Sequence, residues 1–264
     1  MERIRPLIGS VDAPDHRQPW RTGGLWRRTI NLYVAGGALL TLHHRGQGVS
    51  PGGWVVRHRD FIRLHAALRT GASPIARNDG IQVGDLLLMP PRRRCSLRLR
   101  CQSVSAYLPP ALMSRREETG LFGPLSQAIE LRQHPELRHC FASALAGNAV
   151  DWRLWLGKGA GLTPSLDDML IGMMLAAWRS GRMSPCGGRA FFRASGDLYA
   201  ATTQVSVNYL HYASEGRFAS PLMHFACALQ RGRRLEPAVE SLLAMGHTSG
   251  ADTLLGFWLA QHLI

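Results

Sequence analysis

Two short stretches gather side chains that could do chemistry. Residues 161 to 172, GLTPSLDDMLIG, carry hydroxyls at Thr163 and Ser165 and carboxyls at Asp167 and Asp168, directly before an apolar run. Residues 246 to 257, GHTSGADTLLGF, repeat the arrangement with His247, Thr248, Ser249 and Asp252. Aligned on Gly161 and Gly246, 85 residues apart, Thr163 matches Thr248 and Asp167 matches Asp252. Such residues ahead of a helical pattern mark helix N-termini, whose first N–H groups lack intrahelical acceptors and whose dipole favours an acceptor or an anion. A single turn of this kind is ordinary capping. Two of them, each with more polar groups than a cap uses, point to a ligand site lined by at least one. Upstream, Leu156-Gly157-Lys158-Gly159-Ala160 adds glycines that let the backbone approach a ligand, together with the only lysine of the chain. A phosphate or carboxylate suits such a place. Adjacent aspartates project about 100° apart on a helix, so one of Asp167 and Asp168 serves a cap or a neighbouring helix.

Other chemistries find less support. The glycines at 157, 159 and 161 lack the G-x-G-x-x-G spacing of a dinucleotide fold, and no G-K-[ST] phosphate loop occurs, so no cofactor is expected. His43, His44, His134 and His139 lack the spacing and carboxylate of a zinc helix and read as surface histidines, so no metal is expected. Cys95, Cys101, Cys140, Cys186 and Cys227 include no C-x-x-C pair, against both a disulfide framework and structural zinc. Ser206, Asn208 and Tyr209 read as packing or back-bonded residues within a helix, with facing the site as the alternative.

The elements that would position these turns fall into two textures. From Gly24 to about Gln102, short apolar runs rich in Val, Ile, Leu and Thr are split by AGG, SPGG and RNDG, which predicts strands and tight turns. One helix interrupts them at Asp60–Leu68, where Phe61, Leu64, His65 and Leu68 share a face. PRRRCSLRLR alternates leucine and arginine as a half-exposed strand does. Beyond Pro109–Pro110 the apolar period becomes helical. Helices are expected at Leu125–Arg132, Pro135–Leu145, Ser165–Ser180, Asp197–Glu215, Ser220–Arg231, Pro237–Met245 and Ala251–Leu263, with SGRMSPCGGRA as a connection. GLFGP, at 120 to 124, marks the boundary. The class is α+β: a β-rich, barrel-like domain over 1–115, then a mainly helical domain over 116–264 carrying both turns.

The formal charge of +13 is concentrated early: residues 1–103 hold 17 Arg against 6 acids. No recognition helix or aromatic platform accompanies it, so nucleic acid is not an expected partner. The Arg92–Arg93–Arg94 run reads as a solvated face, with a partner protein as the alternative. The opening MERIRPLIGS has no apolar h-region, and the longest apolar runs fall short of a membrane span, so a cytoplasmic protein is expected.

LGKGAGLTPSLDDMLIGMMLAAW, TTQVSVNYLHYASEGRFASPL and LLAMGHTSGADTLLGFWLAQ resemble the AllH family, the small subunit associated with bacterial oxamate carbamoyltransferase in allantoin catabolism. WRRTINLY, PGGWVVR and RREETGLFGPLS extend the likeness into the first half. The chain departs from the family's commonest spelling, G-P-G-L-T-P-S-G-D-D, at Ala160 and Leu166, and leucine disfavours a left-handed backbone at 166. The resemblance implies partners of the AllF and AllG type and the interconversion of oxalurate plus phosphate with oxamate plus carbamoyl phosphate. For that reaction the residues themselves suggest that Lys158, Gly159, Gly161, Thr163, Ser165, Asp168, Thr248 and Ser249 bind the small anions. Asp167 or Asp252 would accept from an amide NH₂ or orient Lys158, and His247 would carry a proton. A noncatalytic assembly or regulatory subunit is the alternative.

Overall fold

The short apolar runs of the first half become strands because glycine and proline end each after a few residues. The computed structural model describes residues 1–34, 36–99, 107–129, 135–261 and 263. The chain divides into two compact units, Met1–Leu97 and Arg98–Ile264. In the first, strands β1 (Glu2–Ile4), β2 (Ile8–Ser10), β3 (Trp20–Leu25), β4 (Thr29–Val34), β5 (Leu39–His44) and β6 (Gly53–Val56) precede helix α1 (His58–Arg69). Strands β7 (Pro74–Arg77), β8 (Gly80–Val83), β9 (Leu86–Leu88) and β10 (Arg94–Cys95) follow it. They form a four-stranded sheet, ordered β1-β9-β8-β7, and a six-stranded sheet, ordered β10-β2-β6-β5-β4-β3. Ile30, Leu32, Leu40, Leu42 and Trp54 of one sheet and Ile81, Val83 and Leu88 of the other share a core with Phe61, Leu64 and Leu68 of α1.

Two expectations for this unit are corrected. The arginine–leucine run forms a strand at Arg94–Cys95; Leu97 is buried and Arg98 exposed as alternation requires, but Arg98 pairs with Arg217 in an isolated bridge rather than within a sheet. Arg100 and Cys101 lie outside the described residues. His43 is no surface histidine: it is buried on β5, its Nε2 lies 2.8 Å from Ser50 Oγ, and burial pushes its pKa down to about 4. His134 lies outside the described residues.

In the second unit a 3₁₀ turn (Pro110–Met113) precedes a hairpin of β11 (Glu118–Thr119) and β12 (Gly123–Pro124). Helices α2 (Leu125–Ala128), α3 (Pro135–Leu145), α4 (Ser165–Arg179) and α5 (Pro185–Ala190) follow, then α6 (Gln204–Ser214), α7 (Ser220–Arg231), α8 (Leu235–Leu243) and α9 (Ser249–Gln261). The fold is α+β, strand-rich first and helical after. GLFGP forms the turn and the second strand of the β11–β12 hairpin. Two stretches differ from the periodicity reading: CGGRA is helical in α5, and Asp197–Glu215 is not one helix. There Asp197 caps a 3₁₀ turn by accepting from Tyr199 N, and Thr203 caps α6 by accepting from Ser206 N. Side chains of this kind offer the backbone an alternative to continuing the helix, and they break an otherwise unbroken apolar stripe. Residues 130–132 of the helix expected at Leu125–Arg132 lie outside the described residues, as does 262 of the last one.

Every residue of α4 is buried, and α9 is nearly so. The two cross where each has a glycine. A Cβ on Gly172 would stand 2.0 Å from Thr253 O, and one on Gly256 would stand 1.9 Å from Met169 O. Backbone therefore rests on backbone, and no rotamer change can make room for a side chain. Replacing either glycine by alanine gains about 1 kcal/mol of helix propensity but forces the helices apart through the middle of the core, at a cost of about 3 kcal/mol or more. G172A and G256A should each lower the midpoint of urea unfolding despite that propensity gain. Parental stability in both would show that the crossing is looser than described.

Candidate functional site

The crossing point fixes what happens at the helix tips. Helices α4 and α9 start at Ser165 and Ser249, 84 residues apart, so their structural register pairs Asp168 with Asp252 and Gly172 with Gly256. The glycine-led alignment, which paired Asp167 with Asp252, is out of step by one residue. In the structural register both helices read S-x-x-D-x-L-[IL]-G. Aspartate and glycine four residues apart lie on one helix face, so each aspartate is on the crossing face one turn from the contact, toward the partner helix's first turn.

Three buried carboxyls meet there, and their partners differ. Asp167 is fully buried: its Oδ1 accepts from Gly157 N at 2.9 Å, and its Oδ2 accepts from the Thr202 and Ser206 hydroxyls. It ties the glycine loop ahead of α4 to the start of α6. Asp252, also fully buried, accepts from Gly120 N at 3.0 Å through Oδ1 and 3.3 Å through Oδ2, which ties the β11–β12 hairpin to α9. Asp168 is 5% exposed, and its Oδ2 has no hydrogen-bond partner among the described residues. Above it Thr163 Oγ1 and Ser249 Oγ, both half-exposed, lie 3.0 Å apart and join the two tips.

Burial raises the pKa of all three carboxyls. For Asp167, hydrogen bonds from Ser206, Thr202 and Gly157 oppose the shift, and for Asp252 those from Gly120 and Thr248 do so. Asp168 is held well above the usual carboxylate range, because desolvation outweighs the facing hydroxyls of Thr163 and Ser249 and the charges of Asp252 and Asp167 add to it. Ser165 Oγ lies near enough to Asp252 to favour its ionised form, yet it is not aligned for a hydrogen bond with any described residue.

The walls of this cluster are close. A Cβ on Gly120 would meet Ser165 Oγ at 1.9 Å, and one on Gly159 would meet Ser165 N at 2.5 Å. Gly159 also has φ +114 and Gly161 φ +99, in the left-handed region that suits glycine. The sites expected from sequence thus separate by depth. Ser165, Asp167 and Asp252 are fully buried and Asp168 nearly so; Thr163, Thr248 and Ser249 are half-exposed; Lys158, Gly159, Gly161 and His247 are on the surface. No protein acceptor among the described residues takes the N–H groups of residues 159 to 163, while the carbonyl of Lys158 accepts from Leu166 N at 3.1 Å. Leu166, which stands at a glycine position of the family spelling, is helical core, whereas its register partner Gly250 lies against α8, where a Cβ would meet Leu242 O at 2.2 Å. Gly120 and Thr202 carry no motif that could have revealed them. Ser206 donates to Asp167, and Asn208 is back-bonded to Gln204 O at 2.9 Å.

Among the described residues no group of three or more His, Cys, Asp and Glu side chains could hold a metal ion, and no helix is long and apolar enough to cross a membrane. The fold and the site define an α+β protein whose helical unit brings two crossed helix tips together around a carboxyl-rich polar cluster. Residues 155–261, from the glycine loop to the end of α9, match the family described as oxamate carbamoyltransferase subunit AllH, so the AllH recognition drawn from the motifs holds over this region. No solved structure matches the chain.

A carboxyl whose pKa is higher folded than unfolded keeps its proton more tightly when folded, so it weakens folding as pH rises from about 4, its unfolded value, through the folded value. Asp168→Asn abolishes that titration. The stability difference between D168N and the parent should grow in favour of the variant from weakly acidic to neutral pH; a constant difference would refute the raised pKa. Asp167→Ala strands three donors, at about 1–3 kcal/mol for each that remains buried, and should destabilise at every pH.

Proposed function

We propose that this chain works as a subunit of an oxamate carbamoyltransferase beside AllF- and AllG-type subunits in the cytoplasm, and that the helix-tip cluster holds the reacting ends of its substrates. The reaction is the interconversion of oxalurate plus phosphate with oxamate plus carbamoyl phosphate. Support comes from the family match over the cluster and, above all, from one observation: Asp168 is buried, has an oxygen without a partner, and lies beneath two hydroxyls at the meeting of two helix tips.

In the direction of oxalurate synthesis, the amide nitrogen of oxamate attacks the carbamoyl carbon, the oxygen of the tetrahedral intermediate gains negative charge, phosphate departs, and the nitrogen loses a proton. Asp168 accepts from that nitrogen and takes the proton; its raised pKa makes it a better base than an ordinary carboxylate. Thr163 and Ser249 donate to the developing oxyanion. Lys158 and the unpaired N–H groups from Gly159 to Thr163, outside the carboxyl cluster, hold the phosphate or the oxamate carboxylate. His247, exposed beside Thr248, returns the proton to water. Asp167 and Asp252, occupied by protein donors, position the loop and the hairpin that close over Ser165.

The saturation of Asp167 and Asp252 favours a second reading, in which the cluster docks loops in a noncatalytic assembly subunit and the partners own the chemistry. D168N separates the two. In the reconstituted complex it should assemble normally and lose turnover by about 10²-fold or more, the usual worth of a positioned acid or base. Parental turnover from an intact D168N complex would leave only the assembly reading.

A further inference from the structure

The first unit has a cleft of about 710 Å³ that the helix-tip chemistry does not use. Six arginines line it from three separate segments: Arg3 and Arg5 at β1, Arg57 and Arg59 at the start of α1, and Arg92 and Arg93 before β10. Two acids, Glu2 and Asp60, oppose them. Glu2 is already engaged by Arg63, at 2.6 Å to its Nη2. Arg3 has a distant pairing with Asp79 at 3.9 Å, and Arg5 is steered by Pro90 O at 3.2 Å. Arg57, Arg92 and Arg93 have no ion pair or hydrogen-bonded side-chain partner among the described residues.

The placement of Arg57 and Arg59 goes against local electrostatics. Helix α1 has twelve residues, Arg57 stands at its N-cap without a side-chain cap bond, and only Asp60 supplies negative charge in the first turn. Cations at the positive end of a helix dipole are each unfavourable by about 0.3–1 kcal/mol, and here four more guanidinium groups face them across one cleft. Repulsion gathered from three segments calls for a counter-charge.

We infer that this cleft binds a small ligand bearing two or three linked phosphoryl groups. Guanidinium groups grip phosphate oxygens two at a time, so six of them exceed what one phosphate can use. The volume falls within the range of about 300–1,000 Å³ usual for small-molecule sites. The lining holds no aromatic side chain on which a base could stack, so the phosphoryl chain itself is what the cleft recognises, and a nucleic-acid track would need the aromatic interleaving that is missing.

Calorimetric titration of the full chain with tripolyphosphate at physiological salt should give saturable binding at one site. R57Q/R59Q and R92Q/R93Q, all exposed positions, should each weaken it by at least about tenfold, while R21Q/R69Q, which removes the same charge outside the cleft, should leave it within about twofold. D168N should bind like the parent, so this test stands apart from that of the helix-tip reading. Absence of binding, an equal loss in R21Q/R69Q, or binding that survives both cleft variants would overturn the assignment.

Discussion

The contact of backbone with backbone at Gly172 and Gly256 is the constraint from which the helical unit follows. Two helices can approach this closely only if neither has a side chain at the crossing. Once they do, the residues one turn toward the N-terminus on the same faces are forced together. Those residues are Asp168 and Asp252, so a packing requirement in the apolar core decides which polar groups meet at the tips. The near-complete burial of α4 belongs to the same arrangement: it is covered by α6 and α7 as well as by α9, and Met169, Met173, Met174 and Leu175 face apolar neighbours all round.

Desolvation at this place is costly, and the chain offsets it unevenly. Asp167 and Asp252 are compensated by backbone N–H groups and hydroxyls drawn from other segments, and each thereby fixes a loop. Asp168 faces the Thr163 and Ser249 hydroxyls, but its buried Oδ2 has no hydrogen-bond partner among the described residues. An apolar residue there would pack without that penalty, and natural chains tend to break local rules of this kind where a ligand repays the cost. A buried, undersatisfied acid beside two saturated ones therefore singles out a position more sharply than a row of three equivalent acids would.

Much of this was legible in the sequence, and the remainder has physical reasons. Helix period and cap residues placed α4, α7 and α9 to within two residues at their starts, and glycine-punctuated runs identified a β-rich first unit, because both signals are local. The repeat was visible, but its register was not: leading glycines in turns tolerate insertion, whereas the serine that begins each helix and the glycine at the crossing cannot shift. Reading S-x-x-D-x-L-[IL]-G in both copies would have paired Asp168 with Asp252. Gly120 and Thr202 were beyond reach, since hydrogen bonds spanning 132 and 35 residues leave no trace in spacing, and the bond from Ser206 to Asp167 across 39 residues could not be told from helix packing. The interrupted segment at Asp197–Glu215 shows the opposite failure, a periodic stripe that two capping side chains overrule.

The two halves of the cluster are related but not identical, and the difference lies beside the shared aspartate. In register with Asp167, helix α9 has Ala251, which cannot anchor the turn in front of it as Asp167 anchors residue 157. The α9 lip hangs instead on Asp252, through Gly120 and Thr248, one position further along its helix. The approximate two-fold relation of the tips is therefore broken at a single residue, and a motif that nearly repeats in sequence presents two distinguishable sides in space.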